Sequence, residues 1–461
     1  MKQDRLEPRT NDPLLRVKRV AIFGLFHLYD HDVPLNMQDR VTILHGPNGV
    51  GKTALLRLIA AAFGGRYGEI TKVPFKKLDI ELSDGSMITF EQTEKHDKSK
   101  YVHLGLKLSL TASGKTLHKS DITLGSEEQR DWLTRLAAET PGLERLGADP
   151  WLDPSNGEAR STADAFNRYF GGPRRKGFNP ETSVELNWFT ELRSRVQVHL
   201  IETQRLLQMN TADSGRTGQQ GTVLVPTVHD YARDLQTRIT DALARYATRS
   251  QSLDQSFPQR LVKAGSQPGL TTSDLKARMS DLDAKRANLQ KIGLLDSATS
   301  SPFDVASLDA LDPTQSNVMS LYVEDTRQKL AVLDELSQRI TILLGNVNAK
   351  FRNKSIQIHR DKGFVVIGPD GTPLDPDSLS SGEQHELVLL YDLLFRVRPG
   401  TLVLIDEPEL SLHVGWQKRF LPDLLEIVQA AEFDALIATH SPFIVGDRSD
   451  LMVPLAADID A

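Results

Sequence analysis

Cysteine is absent from the 461 residues, so the chain holds no disulfide and no cysteine-ligated zinc, which agrees with a reducing cytosol. Long apolar runs are also missing. No stretch approaches the roughly 20 consecutive apolar residues that a membrane helix needs, and the start, MKQDRLEPRTNDP, lacks an apolar signal-peptide core. The expectation is a soluble, cytoplasmic protein. Nor does charge of one sign dominate: 55 basic against 61 acidic residues leave −6, so the chain as a whole is no electrostatic sponge for nucleic acid and any DNA contact must be local. The densest basic cluster, Arg174, Arg175 and Lys176, reads as a solvated loop, with a phosphate patch as the alternative. Histidines are scattered without HExxH or comparable spacing, so no zinc site is expected.

A hydrophobic content of 39% in a chain of this length can bury a large core and exceeds what one compact domain usually holds, so two structural units are expected. Four short segments carry the chemistry. The first is GPNGVGKT: Gly46, Pro47, Asn48, Gly49, Val50, Gly51, Lys52 and Thr53. It follows the apolar run Val41 to Leu44 and precedes the helical pattern Ala54 to Phe63, the strand, loop and helix order of a phosphate-binding loop. Its glycines let backbone N–H groups turn toward phosphates, and the helix start adds a partial positive charge. Lys52 would reach those phosphates, and Thr53 offers a hydroxyl suited to Mg²⁺, which prefers hard oxygen ligands. An ordinary glycine turn would not account for the lysine and threonine.

The second and third segments are LSSGEQH, from Leu379 to His385, and TLVLIDEPE, from Thr401 to Glu409. Leu402 to Ile405 read as a central parallel strand buried on both faces, with acids where it ends. Asp406 is expected to handle the metal and Glu407 to orient or deprotonate an attacking water. In the fourth segment His440 follows the strand Ala435 to Ala438, where an imidazole could contact a γ-phosphate; taken alone it would be a structural histidine. The Ser-Ser start of the LSSGEQH helix also reads as a plain helix cap with Glu383 in the first turn, a role compatible with ligand binding.

Lys52 and Asp406 lie much further apart than a minimal phosphate-binding α/β core needs, so something large is inserted, from about Gly125 to Lys350. Helical stripes occupy it: Val228, Ala232, Leu235, Ile239, Ala242 and Tyr246; Leu275, Met279, Leu282, Leu289 and Ile292; and Met319, Leu330, Leu333, Ile340, Leu344, Val347 and Phe351. Ordinary helix packing explains them, in a projecting hairpin whose connections are 211–222 and 296–317. Two hairpins of strands are expected, around Asp84-Gly85 and around Lys362-Gly363.

Together the four segments resemble the SMC, RecF and overcoming-lysogenization-defect (OLD) branch of ABC ATPases, LSSGE being similar to the ABC signature and DEPELSLH to the OLD branch. His413 stands where transporter-type members usually carry an aspartate. VHLIETQRLL and SSGEQHELVLLYDLLF resemble ATPase components of bacterial anti-phage systems such as Septu, PARIS and some retrons. The resemblance implies an α/β fold: a P-loop parallel sheet plus an antiparallel β-subdomain, in 1–125 and 351–461, with a coiled-coil-like helical insertion in 126–350. It implies ATP and Mg²⁺, hydrolysis by Glu407, His440 and Lys52, and metal contacts from Thr53, Asp406 and a coupling glutamine. Gln204 is the favoured glutamine, with Arg205 beside it; Gln92 is the alternative, or a solvent-facing strand residue. Ser380, Ser381, Gly382 and Glu383 would grip a nucleotide held by the other protomer of a homodimer. The tail after His440 is too short for the TOPRIM nuclease domain of many OLD-type proteins, which implies a separate effector, a nuclease or toxin. A DNA-handling role of the RecF or SMC kind is the alternative.

Overall fold

The computed structural model describes residues 14–96, 102–123, 142–146, 151–152, 159–160, 187–201, 207–212, 221–264, 270–296 and 312–455, with residues 137 and 165. The chain divides into two compact units, one of Met1–Arg205, Met209–Leu224 and Val397–Ala461, the other of Val225–Arg396 with Leu206–Gln208. The fold class is α/β, as expected.

The first unit begins with β1 (Val17–Leu25), β2 (Tyr29–Pro34), β3 (Val41–His45), α1 (Lys52–Gly64) and α2 (Tyr67–Ile70). The strands β4 (Lys77–Leu82), β5 (Met87–His96), β6 (Val102–Ala112) and β7 (Lys115–Thr123) complete an antiparallel sheet of order β2-β1-β4-β5-β6-β7. In β4 the alternation is clean: Leu78, Ile80 and Leu82 are buried, while Lys77, Asp79 and Glu81 are half-buried, the pattern of a sheet with one face on the core. Asp84-Gly85 makes the β4–β5 hairpin turn, Gly85 with φ 80°. The short strands β8 (Glu144–Arg145), β9 (Trp151–Leu152) and β10 (Ala159–Arg160) pair with one another; α3 (Asn187–Arg195) and β11 (Val198–Ile201) follow, then the two-stranded sheet of β12 (Leu207–Ala212) and β13 (Gly221–Pro226).

Three strands late in the chain return to this unit, β17 (Leu402–Asp406), β18 (Asp434–Ala438) and β19 (Met452–Pro454), the numbers β14 to β16 falling to the second unit. With β3 and β11 they form a wholly parallel sheet of order β11-β17-β18-β3-β19. Leu402 to Ile405 and Ala435 to Ala438 are all buried, as continuous apolar runs demand when both faces are covered. Leu55, Leu56, Leu58 and Ile59 of α1 pack into the same core. Arg16 joins β1 to the start of β18 through both carboxylate oxygens of Asp434, the Nε bond measuring 2.7 Å.

The second unit contains α4 (Thr227–Ala264), α5 (Thr272–Lys291), α6 (Pro313–Ala331) and α7 (Asp334–Lys350). A small antiparallel sheet, β14 (Ser355–His359), β15 (Gly363–Ile367) and β16 (Pro373–Leu374), leads to α8 (Ser381–Tyr391), which runs on into a π-helical turn over Asp392–Arg396. The seam of α4 forms as its spacing predicts, with Val228, Ala232, Leu235, Ile239 and Ala242 buried. At 38 residues α4 spans about 57 Å. Arg260 with Asp325, and Lys329 with Asp254 at 2.7 Å, tie α4 to α6. The stripe from Met319 to Phe351, expected to run in one register, is two helices: the chain turns at Val332–Leu333, and α7 then buries Ile342 and Leu343 while Leu344 is only half-buried. Gly363 supplies the predicted hairpin turn with φ 76°, and a Cβ there would stand 1.8 Å from the carbonyl oxygen of Ala232 on α4.

This division differs from sequence boundaries at 125 and 350: most of the chain from 126 to 224 groups with the first unit, and residues 351–396 group with the helices. Lys350 of α7 and Glu386 of α8 form a buried ion pair, and Tyr391 stacks on Tyr231 of α4 with centroids 4.6 Å apart. Two of the expected features, Arg174 to Lys176 and most of the two connections, lie outside the described residues.

Candidate functional site

The loop after β3 is shaped by glycine. Gly49 and Gly51 have φ of 85° and 100°, in the left-handed region, and a Cβ on Gly51 would meet Leu25 Cδ2 at 2.3 Å. Pro47, Asn48 and Gly49 are exposed at the rim, while Val50 is buried beneath them. The Val50 carbonyl accepts a hydrogen bond from His31 Nε2 at 2.8 Å, so a buried histidine on β2 supports the loop. No side chain caps the start of α1, which leaves its first N–H groups to the loop side.

Lys52 is buried and its Nζ donates to the carbonyls of Gly46 and Pro47 at 2.8 and 3.0 Å. Burial lowers its pKa, and the nearby charges of Glu407, Asp406 and Glu409 oppose that shift. Thr53 donates its hydroxyl to Asp406 Oδ1 at 2.9 Å. Asp406, at the end of β17, is held above the usual carboxylate range chiefly by desolvation, with the Thr53 hydrogen bond and Arg57 acting the other way.

Glu407 follows with φ 44° and ψ 57°, left-handed geometry that is uncommon for a residue with a Cβ and costs on the order of 1–3 kcal/mol. Its N–H donates to the carbonyl of Ala438 on β18 at 2.8 Å, and the chain then turns through Pro408–Ser411. His440 emerges just past β18, the strand that lies between β3 and β17, and its Nδ1 is 3.4 Å from Lys52 Nζ. The sheet order thus brings Lys52, Thr53, Asp406, Glu407 and His440 together at the carboxyl ends of three neighbouring parallel strands, where α/β sheets bind ligands. Thr53 and Asp406 present adjacent hard oxygens, a donor set that fits Mg²⁺.

The signature segment belongs to the second unit. Ser380 caps α8 in a full capping box: its Oγ accepts from the Glu383 N–H at 3.4 Å, and Glu383 Oε2 accepts from the Ser380 N–H at 2.7 Å. Lys354 donates to the same carboxylate at 3.0 Å. Glu383 is therefore buried and engaged within its own unit, its pKa lowered by these hydrogen bonds against desolvation, whereas Ser380 and Ser381 are exposed.

Gln92, the alternative coupling glutamine, does not face solvent. Its Oε1 accepts from the Phe75 N–H at 3.2 Å and its Nε2 donates to Ile70 and Val73 carbonyls at 3.1 and 2.8 Å, which fastens the segment after α2. Gln204 and Arg205 lie outside the described residues. His413 has a clear local role: its Nδ1 accepts from the Gly415 N–H at 3.2 Å and caps α9 (Val414–Ala431), as an aspartate would. Sequence reasoning missed His31, Glu409 and Gln417. Glu409 was visible only as the last acid of LIDEPE. In the second unit, His229 lies 3.2 Å from Asp377 and 3.7 Å from Asp375; both acids are exposed, and the group reads as a polar cluster at the surface.

Two family models match the chain: an AAA domain over residues 15–143, and "AAA domain, putative AbiEii toxin, Type IV TA system" over residues 240–446. Protein ea59 of Escherichia phage lambda is 36% identical over 90 residues, which are 20% of this chain and 17% of that protein, so the chain matches under a fifth of this relative's length. Among solved structures, the Smc head domain with an extended coiled coil bound to the C-terminal domain of ScpA, from Pyrococcus furiosus, overlaps 96% of this chain and 93% of that one at 10% identity and a TM-score of 0.35. The SMC head domain from Thermotoga maritima overlaps 95% and 94% at 11% identity and a TM-score of 0.31. The first family match covers the phosphate loop, and the second covers the signature, the acidic strand end and His440. Two stretches of this chain, far apart in the sequence, thus match AAA-domain models, and the residues they contribute meet in one site at the ends of β3, β17 and β18.

Proposed function

We propose that the chain binds Mg-ATP at the ends of β3, β17 and β18, hydrolyses it, and closes with a second copy of itself around the nucleotide to control a separate effector. The observation that carries this reading is the convergence of Lys52, Thr53, Asp406, Glu407 and His440 at one sheet edge. Gly46 to Gly51 would cradle the phosphates, and Lys52 would exchange its loop carbonyls for phosphate oxygens. Thr53 and Asp406 would hold Mg²⁺, whose contribution is to neutralise charge on the transferred phosphoryl group. Glu407 would take a proton from the attacking water, and His440 would contact the γ-phosphate.

A second copy is supported by two surfaces. Ser380 and Ser381 stand exposed at the start of α8, suited to grip a phosphate held by a partner. Leu410 and Val414, close after Glu407, and Phe443, close after His440, are 67%, 51% and 46% exposed, apolar area that a partner would cover. Phosphate contacts made only in the closed state and lost on hydrolysis would form a two-state switch. Defence against phage, with a nuclease or toxin as effector, is the biological setting that the OLD-like wording favours, and the toxin–antitoxin description of the second family match is in keeping with it.

Glu407→Gln is the decisive variant: ATP-dependent dimers should accumulate in light scattering while phosphate release falls by about 10²- to 10⁴-fold. Hydrolysis at the unaltered rate would overturn the assignment. DNA-stimulated turnover that weakens steeply with salt would move the reading to a DNA-handling clamp.

A further inference from the structure

Glu409, two residues beyond Glu407, sits in the turn that leaves the acidic strand, yet its carboxylate reaches across to the next strand. Its Oε1 accepts two hydrogen bonds, from Thr439 Oγ1 and from the His440 N–H, each at 2.8 Å. Thr439 is 1% exposed, and its hydroxyl oxygen in turn accepts from the Ser441 N–H at 3.0 Å. The Ser441 hydroxyl donates to Gln417 Oε1 at 2.8 Å, and Gln417 Nε2 returns to the carbonyls of Glu409 and Leu412 at 3.3 and 3.2 Å. The result is a closed ring of hydrogen bonds joining the Glu407 turn, the first turn of α9 and the strand end bearing His440. Glu409 Oε2 is buried and meets no donor among the described residues, so the anchoring runs through Oε1 alone.

We infer that Glu409 is a positioning residue for ATP hydrolysis: by holding the Glu407 turn and the His440 backbone on one carboxylate oxygen, it makes the two groups move as a single body. The inference rests on the proposed ATPase reading. Two features give the clamp something to hold. Glu407 is kept in a left-handed conformation that a loose turn would abandon, and His440 is fixed by its backbone on one side while its ring lies 3.4 Å from Lys52 on the other. Displacement of a reacting group by about 1 Å costs on the order of 100-fold in rate.

The test compares Glu409→Ala, Glu409→Gln, Thr439→Val and Thr439→Ser in the full-length protein, with circular dichroism melts to establish folding, ATP affinity by calorimetry and turnover by phosphate release. A Gln side chain keeps an oxygen that accepts both hydrogen bonds but carries no charge. Glu409→Ala should lower kcat by about 10- to 100-fold with ATP affinity changed less than about threefold. Glu409→Gln and Thr439→Ser should stay within about threefold of wild type, and Thr439→Val should lose activity that is not lost again in the Glu409→Ala background. Unchanged kcat in Glu409→Ala, or an equal loss in Glu409→Gln, overturns the inference. Should the alanine variant fail to fold, the pair Thr439→Val and Thr439→Ser decides it, equal activity of the two being the negative result. If the wild-type protein releases no phosphate from ATP the ATPase reading fails; if Glu407→Gln hydrolyses ATP normally the role of Glu407 fails; if Glu407→Gln is inactive while Glu409→Ala is not, only the positioning role fails.

Discussion

Replacing Lys350 by methionine isolates the energetics of the joint between α7 and the signature helix. Both side chains of the Lys350–Glu386 pair are 2% exposed, so the methionine fills most of the lysine volume but leaves a carboxylate facing an apolar neighbour. Removing one partner of a buried pair costs about 3–5 kcal/mol. Glu386 has an escape: it can take up a proton. At pH 7 that costs about 1.36 kcal/mol per unit above a reference pKa of about 4.3, or roughly 3.7 kcal/mol, which caps the penalty. At pH 5 the cap falls to roughly 1 kcal/mol by the same relation. In the variant the folded-state pKa of Glu386 lies above its unfolded value, so stability is lost as pH rises, and the gap to wild type widens between pH 5 and 7. For a unit of this size a penalty near 3.7 kcal/mol lowers Tm by about 7–15 °C. Calorimetric melts of wild type, Lys350→Met and Lys350→Met/Glu386→Leu at both pH values test it. The double variant should recover most of the loss. A penalty equal at pH 5 and pH 7, or a double variant as unstable as the single one, would refute the reasoning.

Lys52→Ala removes a buried cation with at least two phosphate-directed hydrogen bonds in the proposed complex, and ATP affinity should fall by about 10- to 150-fold, read by calorimetry. Gly363→Ala combines positive φ with a Cβ 1.8 Å from the Ala232 carbonyl, so it should lower the stability of the helical unit by more than about 1–3 kcal/mol in urea melts. Glu324 is hydrogen-bonded by Arg327, which draws its pKa down to about 2. Its contribution is complete above the unfolded value near 4.3 and is lost as pH falls toward about 2, so Glu324→Gln should flatten the acid limb of the stability profile in that window.

The phosphate loop, the acidic strand end and the parallel strands are legible in sequence because each is local: glycines at fixed spacing, a run of four apolar residues, acids at its end. The α4 seam is legible for the same reason, since one helix face repeats every three or four residues. What sequence leaves open depends on contacts between distant segments. The Gln92 amide looks like a strand side chain in an alternating pattern, and only the fold brings three backbone groups of residues 70–75 around it. Nothing near His31 announces that its ring will meet the carbonyl of Val50. The continuous stripe through Leu333 and Leu344 hides a helix break because apolar residues flank the turn on both sides, so periodicity alone runs straight through it. The grouping of the signature helix with the helices rather than with the parallel sheet follows from a buried ion pair and stacked tyrosines that no local pattern encodes.

Because β18 is threaded between β3 and β17, the ends of those two strands stand two ladder steps apart, about 10 Å. That span is written in main-chain pairing and not in any one side chain. Drift among Val, Ile, Leu and Ala along the three strands leaves it intact, so extensive divergence of the core is compatible with a mouth of constant width, and only a rewiring of strand order would resize it.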